Sequence, residues 1–110
     1  MTFIARTPEP PYYAVVFTSI NAAVDHTEHV ALSRRLVEIA SGYDGFLGIE
    51  AARNPDGTGV TAIYWRSLEA IQAFARDPEH RIAKQKGREL WYSHYLIRIS
   101  RVERDYGRPD

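Results

Sequence analysis

The 110-residue sequence contains no cysteine, which excludes disulfides, thiolate metal sites and cysteine nucleophiles together. It lacks an excess of either charge. Fourteen Lys and Arg face fourteen Asp and Glu, so no overall field draws the chain to nucleic acid or to an anionic membrane. Long apolar runs are missing as well, with nothing near the roughly 18 consecutive residues of a membrane span. Met1 to Pro11, with Pro8, Pro10 and Pro11, holds no apolar core of the signal-peptide kind. These absences predict a cytoplasmic domain with no membrane and no nucleic-acid partner. Nor is there a phosphate loop, because Gly57-Thr58-Gly59 sits in a turn and opens no helix. No histidine pair has the i, i+4 spacing of a helical zinc site; His26 and His29 lie three apart with no matching carboxylate motif. Neither a metal nor a cofactor is expected.

What is present reads as one domain. Residues 1–11 form an extended lead-in, 12–106 the domain and 107–110 a tail. Tyr12 to Ser19 is rich in aromatic and β-branched residues and predicts a strand. Asp25 and Glu28 have the spacing of a capping box. His29, Leu32, Leu36, Ile39, Ala40 and Tyr43 then follow at helical spacing, and Gly42 is a fitting stop. Phe46–Asn54 and Thr58–Arg66 predict two strands joined by Pro55-Asp56-Gly57, which is hairpin chemistry. Ser67 caps a short helix. Asp77-Pro78 starts another that runs to about Tyr92, and Tyr95–Arg104 closes the chain as a strand. The order βαββααβ is that of a ferredoxin-like α+β fold with an antiparallel sheet.

Centring the hairpin on Asp56-Gly57 sets Gly48 opposite Trp65, Ile49 opposite Tyr64 and Glu50 opposite Ile63. One face then carries Leu47, Ile49, Ala51, Val60, Ala62 and Tyr64 for the helices to cover. The other carries Phe46, Gly48, Ala52, Ile63 and Trp65, too apolar to face water. One chain has helices enough for only one face, so a homodimer through the sheet face is expected.

The candidate chemistry concentrates in the last helix. His80, Ala83, Gly87 and Trp91 share one helical face, with two small residues between a histidine and a large aromatic. Glycine inside a helix costs ~1 kcal/mol relative to alanine, so Gly87 predicts the close approach of sheet or ligand. The helix N-terminus favours a neutral His80, the form a general base needs; a surface histidine assisting the cap is the alternative. His29 lies on the apolar stripe of the first helix, either as a satisfied core histidine or as a pocket residue. His26 and His94 read as exposed element ends. Glu50, mid-strand on an apolar face, needs an ion pair with Arg53, Arg98 or Arg101, or else a shifted pKa. Tyr13, Tyr64, Tyr92 and Tyr95 either fill the core or line an aromatic pocket.

The runs Tyr64-Trp65-Arg66-Ser67-Leu68-Glu69-Ala70-Ile71, Pro78-Glu79-His80, Gly87-Arg88-Glu89-Leu90-Trp91-Tyr92 and Arg101-Val102-Glu103-Arg104 resemble the antibiotic biosynthesis monooxygenase family, as does Phe46-Leu47-Gly48. The resemblance spans most of residues 12–106. It implies a dimeric α/β barrel with a pocket between sheet and helices. It also implies oxidation of a polycyclic phenol without a bound cofactor, the ionised substrate itself reducing O₂. On that footing His80 is the base, Trp65 and Trp91 clamp the small aromatic ligand, and Tyr92 hydrogen-bonds to it; Gly87, Glu50, Tyr64 and His29 are further binding candidates. Haem-degrading relatives use an Asn on the first strand and a Trp and a His on the helical segment. Tyr12–Ser19 holds no Asn, and Phe74 and Lys84 stand at the other two places. A non-catalytic ligand- or haem-binding dimer is the alternative reading. An RNA-recognition domain shares the element order, but residues 58–66 lack its basic-glycine-aromatic signature.

Overall fold

A computed structural model describes residues 3–108. The elements are β1 (Tyr12–Asn21), α1 (Thr27–Ser41), β2 (Phe46–Arg53), β3 (Thr58–Trp65), α2 (Leu68–Ala75), α3 (Pro78–Lys86), a π turn (Gly87–Trp91) and β4 (Tyr92–Val102). All neighbours are antiparallel in the order β2-β3-β1-β4, the ferredoxin-like topology that the sequence predicts. The expected α/β barrel is not what the chain forms. β2 and β4 lie at opposite ends of the sheet and each pairs on one side, so the sheet is open.

The caps explain where the helices start. Ser67 Oγ accepts from Ala70 N at 3.1 Å, and Asp77 Oδ1 accepts from Glu79 N at 2.9 Å, with Pro78 in the first turn. At α1 the expected cap is displaced by one residue. Asp25 Oδ1 accepts from the N–H and hydroxyl of Thr27 in a local turn, which leaves His26 as the N-cap. The core lies where the helices cross the sheet. Trp65, 1% exposed, touches Phe46 and Phe74 at ring separations of 5.6 and 5.5 Å, with Ala40 and Ala70 beside them.

The hairpin register differs from expectation by one residue. Asn54 N donates to Thr58 O at 2.7 Å across a three-residue loop in which Gly57 has φ +92°. Gly48 therefore pairs with Tyr64, Ile49 with Ile63 and Glu50 with Ala62. Because side chains alternate along a strand, that slip regroups the faces. Ile63 and Trp65 join Phe46 and Ile49 beneath the helices, while Gly48, Glu50, Val60, Ala62 and Tyr64 share the outer face.

Part of that outer face is covered by the chain itself. Ala5 N donates to Glu50 Oε2 at 2.9 Å, and a Cβ on Gly48 would come within 2.9 Å of the Ala5 methyl. Thr7 Oγ1 donates to the Tyr12 hydroxyl at 3.0 Å, and that hydroxyl donates to Asp105 Oδ2 at 2.5 Å. At β4 the sheet is open on both faces, with Leu96 52% exposed on the outer face and Ile99 55% exposed on the helix side. Among the described residues no helix is long and apolar enough to cross a membrane.

Candidate active site

A cleft of ≈ 330 Å³ opens between the first turns of α1 and the sheet, with Asn21, His26, His29, Ser33, Arg53 and Tyr92 on its walls. Each side chain is positioned by its element. β1 runs two residues beyond the expected Ser19, so its last residue is Asn21. Arg53 ends β2, where its guanidinium donates to Gly57 O at 2.6 Å and to Ser19 Oγ at 2.7 Å. Tyr92 arrives through the π turn. Gly87 supplies the room, since a Cβ there would lie 3.0 Å from the Tyr92 ring.

The polar groups form a hydrogen-bonded series. His26 Nε2 lies 2.8 Å from the Ala22 carbonyl, His26 Nδ1 lies 2.9 Å from His29 Nδ1, and His29 Nε2 lies 2.8 Å from the Tyr92 hydroxyl. A carbonyl only accepts, so His26 donates from Nε2 and, when neutral, accepts at Nδ1. His29 must then donate from Nδ1 and accept at Nε2, and Tyr92 O–H donates to it. His29 is 7% exposed, stacked on Trp91 at 4.5 Å and met edge-on by Tyr92 at 5.0 Å. Burial, with smaller effects from the His26 and Arg53 charges, pushes its pKa down to about 4, so at neutral pH it is an uncharged acceptor. Burial raises the Tyr92 pKa, and the Arg53 charge opposes that rise. Among the described residues Asn21 Oδ1 is the one buried side-chain polar atom without a hydrogen-bond partner. A buried acceptor of this kind costs stability unless something donates to it.

Residues 15–100 match the family model described as monooxygenase af470-like. YqjZ of Bacillus subtilis (strain 168) is 44% identical over 104 residues, covering 94% of this chain and 90% of that one. This chain belongs to the monooxygenase af470-like family. Among solved structures, SO0527 from Shewanella oneidensis superposes with a TM-score of 0.73 at 6% identity, covering 84% of this chain and 91% of that one. SnoaB, a cofactor-independent oxygenase from Streptomyces nogalater, gives 0.69 at 13%, covering 92% and 100%. At those identities the likeness is one of fold.

In this af470-like chain, the structure gathers only some of the predicted site residues. His29, Trp91, Tyr92 and Gly87 come together at the cleft, although Trp91 is buried behind His29 rather than on the wall. Trp65 lies in the core. His80 sits at the α2–α3 junction, its ring stacked on Phe74 at 4.3 Å and its Nδ1–H donating to the Phe74 carbonyl at 3.1 Å. Burial lowers the His80 pKa, with the Phe74 carbonyl pulling the other way. Glu50 and Tyr64 meet on the outer face, where the Tyr64 hydroxyl donates to Glu50 Oε1 at 2.6 Å. Burial and then Glu50 push the Tyr64 pKa up to about 12. Among the described residues Glu50 is held by Tyr64 and the Ala5 N–H rather than by the expected Arg53, Arg98 or Arg101. Asn21, His26 and Arg53 were not singled out by the sequence as site residues. The available signal was the His26/His29 spacing, which places an N-cap side chain beside the third residue of its helix. Among the described residues no group of three His, Asp or Glu is placed to hold a metal ion.

Proposed function

We propose that the chain is a cofactor-independent monooxygenase that oxidises an aromatic hydroxyl compound in the α1–sheet cleft. The observation that carries this reading is the Tyr92–His29 hydrogen bond on the cleft wall, beside the unpaired acceptor of Asn21. Further support comes from the family's description as monooxygenases and from the cofactor-independent oxygenase of the same fold. Tyr92 and His29 together accept the substrate's hydroxyl proton. Arg53, whose charge already acts on both residues, stabilises the anion. Asn21 Oδ1 accepts from a second donor and fixes orientation. The anion passes one electron to O₂, radical and superoxide combine into a peroxide at carbon, and water leaves. A CH₂ group and O₂ thus become a carbonyl and water, with no outside reductant.

The test is oxidation of dithranol (1,8-dihydroxy-9-anthrone) in air, followed as quinone absorbance and as ¹⁸O from labelled O₂ in the product. Tyr92→Phe is expected to lower kcat about 10²-fold with little change in KM. Binding without turnover by the native chain would overturn the enzymatic reading. Loss of activity in His80→Ala with full activity in Tyr92→Phe would move the base to His80.

The same proposal includes a homodimer through the sheet. It is supported by the apolar side chains that β4 leaves in water, Leu96 on one face and Ile97 and Ile99 on the other.

A further inference from the structure

We infer that His26 is the proton store of the cleft: the Tyr92–His29–His26 series takes the proton of the bound hydroxyl to His26 and later returns it to the peroxide oxygen. The inference rests on the monooxygenase reading above and adds a residue and a cycle to it.

The two imidazoles suit different tasks. His29 is enclosed between Trp91 and Tyr92 and is poorly placed to keep a positive charge, so a proton reaching its Nε2 drives the Nδ1 proton onward. His26 is only partly buried. Its Nε2–H rests on the Ala22 carbonyl, an acceptor that a cation strengthens. The surrounding charges set a gradient in the same direction. Arg53 of β2 acts on His29 and Tyr92, whereas the Asp25 carboxylate interacts with His26. The α1 N-terminus opposes charge on His26. Of the other charged groups nearby, Glu28 is tied to Lys86 of α3 and Arg34 stands on the cleft wall.

No heavy atom has to move. With the proton on His26, every bond reverses: His26 Nδ1–H donates to His29 Nδ1, His29 Nε2–H donates to the Tyr92 oxygen, and Tyr92 O–H donates to the substrate oxygen. The reaction then balances. The hydroxyl loses a proton to His26, and the substrate anion and O₂ form a carbon-bound peroxide anion. The proton returns along the series to the terminal peroxide oxygen. The O–O bond breaks as the carbon loses its remaining hydrogen, leaving carbonyl and water.

The experiment uses the full chain with dithranol as substrate and His26→Asn as the main variant. The Asn oxygen replaces Nδ1 as an acceptor for His29 but cannot hold a proton. The expected result is a fall in kcat of at least tenfold, KM within about twofold, and partial recovery with added imidazole. His26→Gln serves if His26→Asn folds poorly. In ¹⁵N spectra of the native chain above neutral pH, His29 is expected to carry its proton on Nδ1 and His26 on Nε2. Native-like kcat in His26→Asn, while the native chain turns over, would overturn the proton store and leave the oxygenase reading standing. If the native chain leaves dithranol untouched, the oxygenase reading fails alone. The store is then judged on 1,8-dihydroxyanthraquinone, whose bound form should ionise in the native chain but not in His26→Asn. Equal ionisation in both, or His29 protonated on Nε2 in the free protein, would overturn it.

Discussion

At the scale of residues, the cleft depends on fit as much as on functional groups. Gly87 is the clearest case, because a methyl group there would stand 3.0 and 3.1 Å from two carbons of the Tyr92 ring. The ring must retreat by a few tenths of an ångström, which strains a 2.8 Å hydrogen bond to His29. Gly87→Ala is therefore expected to fold, since alanine favours the helical backbone by ~1 kcal/mol, yet to lose most dithranol turnover. Thermal unfolding and kinetics on the same sample would separate the two effects. His29 makes a prediction about stability. Between its ordinary value of 6.5 and about 4 the unfolded chain binds a proton that the folded chain refuses. Stability should therefore fall as pH drops through that window and owe nothing to this group above it. Urea unfolding across the window should show a shallower decline in His29→Asn, which has no imidazole to titrate. The sequence made Gly87 legible as a site of close approach. It did not reveal that the approaching group was Tyr92, because that contact depends on a π turn that periodicity does not announce.

At the scale of elements, small differences in length decided what sequence reasoning could reach. Helix caps at Ser67 and Asp77 and the order of strands followed from local chemistry, because each signal acts within one turn. The hairpin failed by a single residue. Treating Asp56-Gly57 as a two-residue turn and finding a three-residue loop differ little locally, yet the slip moved Trp65 from the outer face into the core. Asn21 was missed in the same way, since the expected strand ended at Ser19 while the observed one continues through Ile20 to Asn21. There the main chain, not the side chains, extends the strand: Asn21 N donates to Gly57 O at 2.9 Å. The hairpin loop thus braces the cleft from outside. Gly57→Ala, which forces a methyl onto φ +92°, should cost ~1 kcal/mol. It should also raise KM, because Gly57 O holds both Asn21 and Arg53. Denaturant midpoints and steady-state kinetics check the two parts.

At the scale of the whole molecule, the sheet is treated unequally at its two ends. Toward β2 the outer face is shielded by the lead-in, with Ala5 over Gly48 and Glu50. At β4 about half of Leu96 on the outer face and of Ile99 on the helix side stays exposed. An exposed apolar edge strand is a pairing surface unless something blocks it. The proposed homodimer therefore predicts a solution mass twice that of the 12.6 kDa chain at micromolar concentration, by light scattering. Leu96→Glu combined with Ile99→Glu should give monomers of unchanged circular dichroism. A monomeric native chain would remove the dimer from the proposal. The sequence rested the need for cover on Phe46, Ile63 and Trp65, which lie beneath the helices, whereas the exposed apolar side chains Leu96, Ile97 and Ile99 belong to β4. The proline-rich lead-in gave no sign that Ala5 would lie over Gly48 and Glu50.

The π turn has a consequence for chain length. An α-helix advances about 100° per residue, and a π turn fits one extra residue into a single revolution. Everything after Gly87 is set back by roughly a quarter to a third of a turn. His80 and Trp91, which an uninterrupted helix would align, point to different neighbours: Phe74 for one and His29 for the other. Which aromatic residue meets the histidine pair is thus chosen by a count of residues between Gly87 and Trp91, not by their identities. A one-residue deletion there would turn the aromatic pair away from His29, even with every residue named in the cleft retained.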